Sequence, residues 1–311
     1  MEIADEPRRL TALQLLLLVA LFVGLALLFV KLLQPLAASG ASAVVAPPSA
    51  PVEPALPVAA APPDPEPAAA TPVAVEPATA SPPAAPAPFA PDFKGPRIAI
   101  VLTDVGDDPA QARAAIATLP PEIGLAFTPY PDVGALVRAA KAEGHEVLAG
   151  LPMQPKAWPR VSPGRNTLLV GAAPEENLRR LDWALARVGG ATGVTGIMGS
   201  AFTESEAALG PVLDAVGVRG LAYLDARASA RSVGVATARE AGVRAAANDR
   251  FLDESGSIAS HLEALEAQAK REGAAIGYAR PLPATIAALQ AWTATLDGKG
   301  MRLVPPSSLA R

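Results

Sequence analysis

The stretch Arg97-Ile98-Ala99-Ile100-Val101-Leu102-Thr103-Asp104-Val105-Gly106 decides how the rest of the chain is read. Five apolar residues in succession, Ile98 to Leu102, run into a polar turn that carries Asp104 and Gly106. A run this short, rich in branched side chains, is expected to be a strand buried on both faces, as in parallel sheets. Asp104 then sits at the strand's C-terminal end, where α/β barrels place their chemistry.

Downstream the same pattern repeats. Short apolar runs occur at Ile98–Leu102, Ile123–Phe127, Glu146–Leu151, Thr192–Met198, Leu221–Leu224, Ala245–Phe251, Ala274–Tyr278 and Arg302–Val304. Helical patterns lie between them at Pro109–Leu119, Val133–Glu143, Pro174–Val188, Glu204–Val216, Val233–Ala241, Ile258–Arg271 and Pro283–Leu296. Pro174 early in one helix and Thr203 or Ser257 as caps mark starts, and Gly144, Gly242, Gly273 and Gly300 mark stops. Strict alternation of strands and helices predicts a parallel (β/α) barrel. A doubly wound open sheet has the same periodicity and stands as the alternative.

Upstream the composition changes. Residues 35–96 hold 18 of the 34 prolines, and residues 34–93 contain five acids and no Lys or Arg. Such a segment buries too little apolar surface to fold, so residues 34–94 are expected to form a disordered, extended linker. Before it, Leu10–Val30 is a run of 21 residues without a charge. About 20 such residues span a bilayer core. With Arg8 and Arg9 on one flank, and Lys31 on the other, the positive-inside rule puts residues 1–9 in the cytoplasm. The expected layout is a single-pass inner-membrane anchor over residues 10–33, with residues 95–311 in the periplasm. A cleaved signal peptide ending near Ala41-Ser42-Ala43 is the alternative.

Several chemistries are excluded outright. Residues 94–311 carry 23 basic and 22 acidic side chains without a basic stripe, so nucleic acid is not an expected partner. There is no cysteine, hence no disulfide, thiolate nucleophile or Cys-type zinc site. The only histidines are His145, at a strand entrance, and His261, within a helical pattern; both read as structural. Ser200 has no imidazole base near it, which excludes a Ser-His triad. Trp183 and Trp292 fall in helical patterns and read as core, whereas Trp158 lies in a long Pro/Arg/Gly-rich segment of the kind that often carries function.

Strings at the strand ends point to a family. They are Leu102-Thr103-Asp104-Val105-Gly106, Leu151-Pro152-Met153-Gln154-Pro155, Pro163-Gly164-Arg165-Asn166-Thr167, Met198-Gly199-Ser200-Ala201-Phe202-Thr203, Tyr223-Leu224-Asp225-Ala226-Arg227 and Asn248-Asp249-Arg250-Phe251-Leu252-Asp253. In this order they resemble the divergent polysaccharide deacetylase family of bacterial envelope proteins, over nearly all of residues 95–306. The resemblance implies a distorted (β/α) barrel related to enzymes that use a divalent metal to hydrolyse acetyl groups. That chemistry requires a carboxylate and two imidazoles on the metal, an open position for water and a second carboxylate as base.

This chain departs from the family pattern at those positions. Asp104 matches the metal-type carboxylate, but Thr103 replaces the base. Gly150, Ile197 and Arg280 stand where the pattern has histidine. No zinc site of the usual kind is expected, and no cofactor. The remaining mouth residues, Asp104, Asp225, Arg227, Asp253 and Arg280 with Trp158, have two readings. They form a cleft for an envelope glycan or a periplasmic protein, or they form an internal salt-bridge set that replaced the metal. Within the first reading, the three Asp residues could instead hold Mg²⁺ or Ca²⁺ weakly. Two functions follow: a non-catalytic descendant that binds glycan or protein, or an active metal-dependent deacetylase with a non-standard site.

Overall fold

The structure is a computed structural model that describes residues 93–311. The expected anchor over residues 10–33, and all of the linker but Phe93 and Lys94, lie outside the described residues. Among the described residues no helix is long and apolar enough to cross a membrane.

The described chain alternates as expected: β1 (Arg97–Val105), α1 (Pro109–Thr118), β2 (Gly124–Phe127), α2 (Gly134–Ala142), β3 (Val147–Met153), α3 (Pro174–Val188) and β4 (Gly193–Met198). There follow α4 (Glu206–Val218), β5 (Ala222–Asp225), α5 (Gly234–Glu240), β6 (Ala245–Ala247), β7 (Arg250–Phe251), α6 (Ile258–Glu272), β8 (Ala274–Ala279), α7 (Pro283–Thr293) and β9 (Arg302–Leu303). All ladders are parallel, in the order β6-β5-β4-β3-β2-β1-β8-β7, with β9 on the lower edge of β1.

Alternation along β1 builds two cores. Ile98, Ile100 and Leu102 face the helices, while Ala99 and Val101 pack inside the sheet with Leu148, Leu224, Ile276 and Tyr278. The interior is crossed at one level by Tyr278 of β8, whose hydroxyl lies 3.1 Å from Thr195 Oγ1 of β4. Strands so distant along the ladder meet only if the sheet curls on itself. The architecture is an α/β barrel, not a flat doubly wound sheet.

The run Ala245–Phe251 is two strands rather than the single one expected. β6 pairs with β5 and β7 pairs with β8, so the chain changes partner at Asn248–Asp249. The Asn248 amide donates to Asp225 O at 2.8 Å and the Asp249 amide to Ile276 O at 2.9 Å, which closes the circle without a ladder. Asn248 bends the chain there, its Oδ1 accepting from the Arg250 amide at 3.0 Å. Below this seam the C-terminus fills the gap: Arg311 and Ala245 exchange two backbone hydrogen bonds of 3.1 Å, and Ala310 joins the inner core. Glu146 anchors this plug by accepting from the Ser307 amide at 3.0 Å.

Another expectation is corrected at α4. Thr203 is not its cap: residues Phe202–Glu204 form a separate 3₁₀ turn, and Ser205 caps the helix through the Ala208 amide at 3.3 Å. Ser257 caps α6 as expected, accepting from the Ser260 amide at 3.1 Å. His145 is buried, its ring nitrogens 2.9 and 3.1 Å from the carbonyls of Ile123 and Ile116, at the end of the barrel away from the mouth. Trp292 is buried with its indole donating to Glu266 at 2.8 Å, whereas Trp183 is half-buried.

Candidate functional site

At the C-terminal ends of the strands lies a cleft of about 430 Å³. Three strand ends around it leave the extended region: Asp104 near the end of β1 has φ 56°, Met198 at the end of β4 has φ 58° and Arg227 beyond β5 has φ 52°. Left-handed backbone costs an L-residue roughly 1–2 kcal/mol, and such strain collects where a fold must aim side chains at a site.

Asp104 and Asp107 supply the cleft's charge, with Thr103, Thr128 and Ser162 beside them. Burial pushes the Asp104 carboxyl above its ordinary value, Asp107 pushes it further, and Arg280 opposes both. Asp107 is raised as well, again chiefly by burial, with a hydrogen bond from Thr128 working against it. The remaining wall is apolar and aromatic, from Ile197, Met198, Phe251 and Tyr130.

Tyr130 is set by several anchors. The Arg187 guanidinium of α3 donates to the carbonyls of Pro129, Tyr130 and Pro131 at 3.1, 3.3 and 3.1 Å, fixing the loop after β2. The Tyr130 hydroxyl donates to Arg165 O at 2.9 Å, and its ring packs 5.6 Å from Trp183. Gly164 (φ 119°) makes room for the ring: a Cβ there would lie 2.7 Å from Tyr130 Cζ.

Gly150, Ile197 and Arg280, the positions expected from the resemblance to match histidine ligands, hold a different construction. Gly150 and Ile197 lie on neighbouring strands, and a Cβ at Gly150 would meet Ile197 Cδ1 at 2.7 Å and Phe127 O at 2.9 Å. The space for a side chain at position 150 is already filled by Ile197. Arg280 turns to Asp253, with its Nε 2.7 Å and its backbone amide 3.2 Å from Asp253 Oδ2. Thr103 directs its hydroxyl to Ala279 O at 3.4 Å. Among the described residues no three His, Cys, Asp or Glu side chains gather so as to hold a metal ion. The residues present do not fit a zinc centre.

The expected mouth residues thus separate. Asp104 lines the cleft, and the Asp253–Arg280 pair acts on it electrostatically. Asp225 lies beneath the mouth, nearly fully buried, with one oxygen accepting from the Arg227 amide at 2.8 Å and the other from Ser232 Oγ at 2.6 Å. Arg227 lines a second cavity beside the cleft. Trp158 is half-buried in the loop after β3, outside the residues that line the cleft. That loop is held by Glu204, which binds Lys156 Nζ at 2.5 Å, Arg231 Nη2 at 2.9 Å and the Ser229 hydroxyl.

Sequence reasoning missed Asp107, Thr128, Tyr130 and Met198. Asp107 had a signal, since it lies in the same strand-end turn as Asp104. Tyr130 had a weaker one in Pro129-Tyr130-Pro131, a stiff tripeptide immediately after a strand. Nothing in the sequence marks Met198 as exposed and left-handed.

The model of the divergent polysaccharide deacetylase family matches residues 100–310. An uncharacterized protein of Haemophilus influenzae is 34% identical over 203 residues, covering 64% of this chain and 71% of that protein. The uncharacterized protein YibQ of Escherichia coli is 30% identical over 217 residues, covering 68% of this chain and 67% of its own length. A crystal structure of an uncharacterized protein from Agrobacterium tumefaciens has a TM-score of 0.69 at 34% identity, over 72% of this chain and 92% of that one.

Proposed function

The chain belongs to the divergent polysaccharide deacetylase family, and from that premise we propose that it is a membrane-anchored, periplasm-facing glycan-binding protein without zinc-dependent deacetylase chemistry. The observation that carries this reading is the Gly150–Ile197 pair. A ligand position has become an interlocked apolar contact, with an ion pair at Arg280 in place of another. The cleft itself persists. Its volume falls in the range of small-ligand sites, about 300–1,000 Å³. Asp104, Asp107 and the hydroxyls of Thr103, Thr128 and Ser162 offer acceptors and donors for sugar hydroxyls, and Tyr130 offers an aromatic wall. The apolar run before the Pro-rich segment supplies the anchor, and that segment supplies reach into the envelope.

The test is direct. The full-length chain in detergent should bind chito-oligosaccharides or peptidoglycan fragments, lose that binding in Asp104→Asn, and release no acetate from acetylated glycans. Acetate release above an inactivated control, abolished in Asp104→Asn, would favour the second reading, hydrolysis of acetyl groups with a non-standard site. One observation favours that reading: burial raises the carboxyls of both Asp104 and Asp107, a perturbation of the kind that gathers at functional sites.

A further inference from the structure

Beside the cleft, at the seam where β6 gives way to β7, lies a second cavity of about 440 Å³ lined by Arg227, Arg250 and His261. Phe251 lines both cavities, so they share one wall. Neither guanidinium is within ion-pair distance of an acid among the described residues. Arg250 Nε is buried with no hydrogen-bond partner among them, an arrangement that proteins rarely leave unanswered. Arg227 is exposed and in the left-handed region, its backbone N–H donating to Asp225 Oδ1, which fixes where its side chain departs.

No acid of this cavity is ion-paired with either arginine; Arg227 acts on Asp249 only through its field, which partly opposes the rise that burial gives that carboxyl. Asp249 spends its oxygens on the Ile276 amide at 2.8 Å and on Gln268 Nε2 at 2.9 Å. Glu254 is exposed, where water and salt screen its charge. The Asn248 side chain is committed to the Ala226 carbonyl and the Arg250 amide. His261 points Nε2 at Ser255 O, 3.0 Å away, and closes the rim.

We propose that Arg227 and Arg250 form a subsite for a carboxylate carried by the glycan whose neighbouring sugar occupies the cleft. A guanidinium edge presents two parallel N–H donors that match a carboxylate, and Arg250 Nε is the donor still lacking an acceptor. The inference rests on the glycan-binding reading of the cleft and names the class it takes: acidic rather than neutral polysaccharide.

The experiment measures binding of the full-length chain in detergent to an oligogalacturonate, to a neutral chito-oligosaccharide of the same length and to inorganic phosphate. The oligogalacturonate should bind tighter than the neutral chain, and more weakly as salt rises. Arg250→Gln and Arg227→Gln should each weaken it by about tenfold, the loss expected for one charge-assisted hydrogen bond. Neutral-chain affinity and Tm should stay unchanged, and Arg227→Lys should restore part of the loss. Equal binding of both oligosaccharides, indifferent to the Arg variants, would overturn the subsite and leave the glycan reading intact. Arg-dependent phosphate binding with no oligosaccharide binding would sink the glycan reading and, with it, the acidic-glycan assignment of this pocket. No binding of any probe overturns both.

Discussion

Asp104 carries a cost that nothing else in the fold requires. Its backbone is left-handed, its carboxyl is partly desolvated, and the acid that acts on it most strongly is Asp107. A carboxyl whose pKa is raised on folding contributes stability that is fully present below its unfolded value and lost as pH rises through the folded value. Asp104→Asn keeps a side chain that tolerates the left-handed region and removes the charge. It should therefore raise Tm at pH 7 while abolishing glycan binding, and the gain should vanish near pH 3, as thermal melts across pH would show. A variant that lost stability at pH 7 would mean the charge is structural. Gly150 presents the opposite case, a residue kept for its lack of a side chain. Gly150→Ala should cost about 1–3 kcal/mol by overpacking against Ile197 and the Phe127 carbonyl. Adding Ile197→Ala should recover part of that cost in urea unfolding, because the two sites share one space. Independent, additive losses would remove the interlock from the account.

Loops rather than strands decide what the mouth presents. Glu204 ties the loop after β3, the 3₁₀ turn after β4 and the loop after β5 through Lys156, Arg231 and Ser229. Its hydrogen bonds to Arg231, Lys156 and Ser229 hold its carboxyl down at about 2. A depressed carboxyl contributes stability above its unfolded value of 4.5 that is lost as pH falls toward about 2. Glu204→Gln should thus lower Tm at neutral pH, and the difference from the parent should shrink between those two values. A constant difference across that window would show the clamp to be inert. Arg187 acts similarly on the loop that carries Tyr130. Arg187→Ala should weaken glycan binding through Tyr130 while leaving secondary structure unchanged, read by titration alongside circular dichroism. Strands and helices of this kind were legible in the sequence because apolar period and capping residues are local signals. The seam at Asn248–Asp249 was not, because a change of ladder partner within one apolar run depends on residues far away in the chain. Clamps such as Glu204 were equally hidden, since its partners lie on two other loops, far from it in the chain.

At the scale of the molecule, fold and family were readable from Leu102-Thr103-Asp104, Leu151-Pro152-Met153 and their companions, most of which mark strand ends. Also readable was that Gly150, Ile197 and Arg280 carry no imidazole and so cannot ligate zinc as histidine does. Harder to read were other residues of the mouth: Asp107 and Tyr130 left only partial signals, and Met198 left none, because its exposure comes from a left-handed strand end. The expected anchor adds a prediction for the whole chain. Expressed with residues 1–33 it should sediment with inner membranes and resist salt extraction, and without them it should stay in the soluble fraction. Sedimentation independent of that segment would contradict the anchor. The central claim, that a metal site of the deacetylase kind has become an interlocked and ion-paired mouth, is tested most directly by elemental analysis of the purified full-length chain after expression with added zinc. The account predicts zinc far below one ion per chain, unchanged in Asp104→Asn. One tightly held zinc per chain, lost in Asp104→Asn, would contradict it.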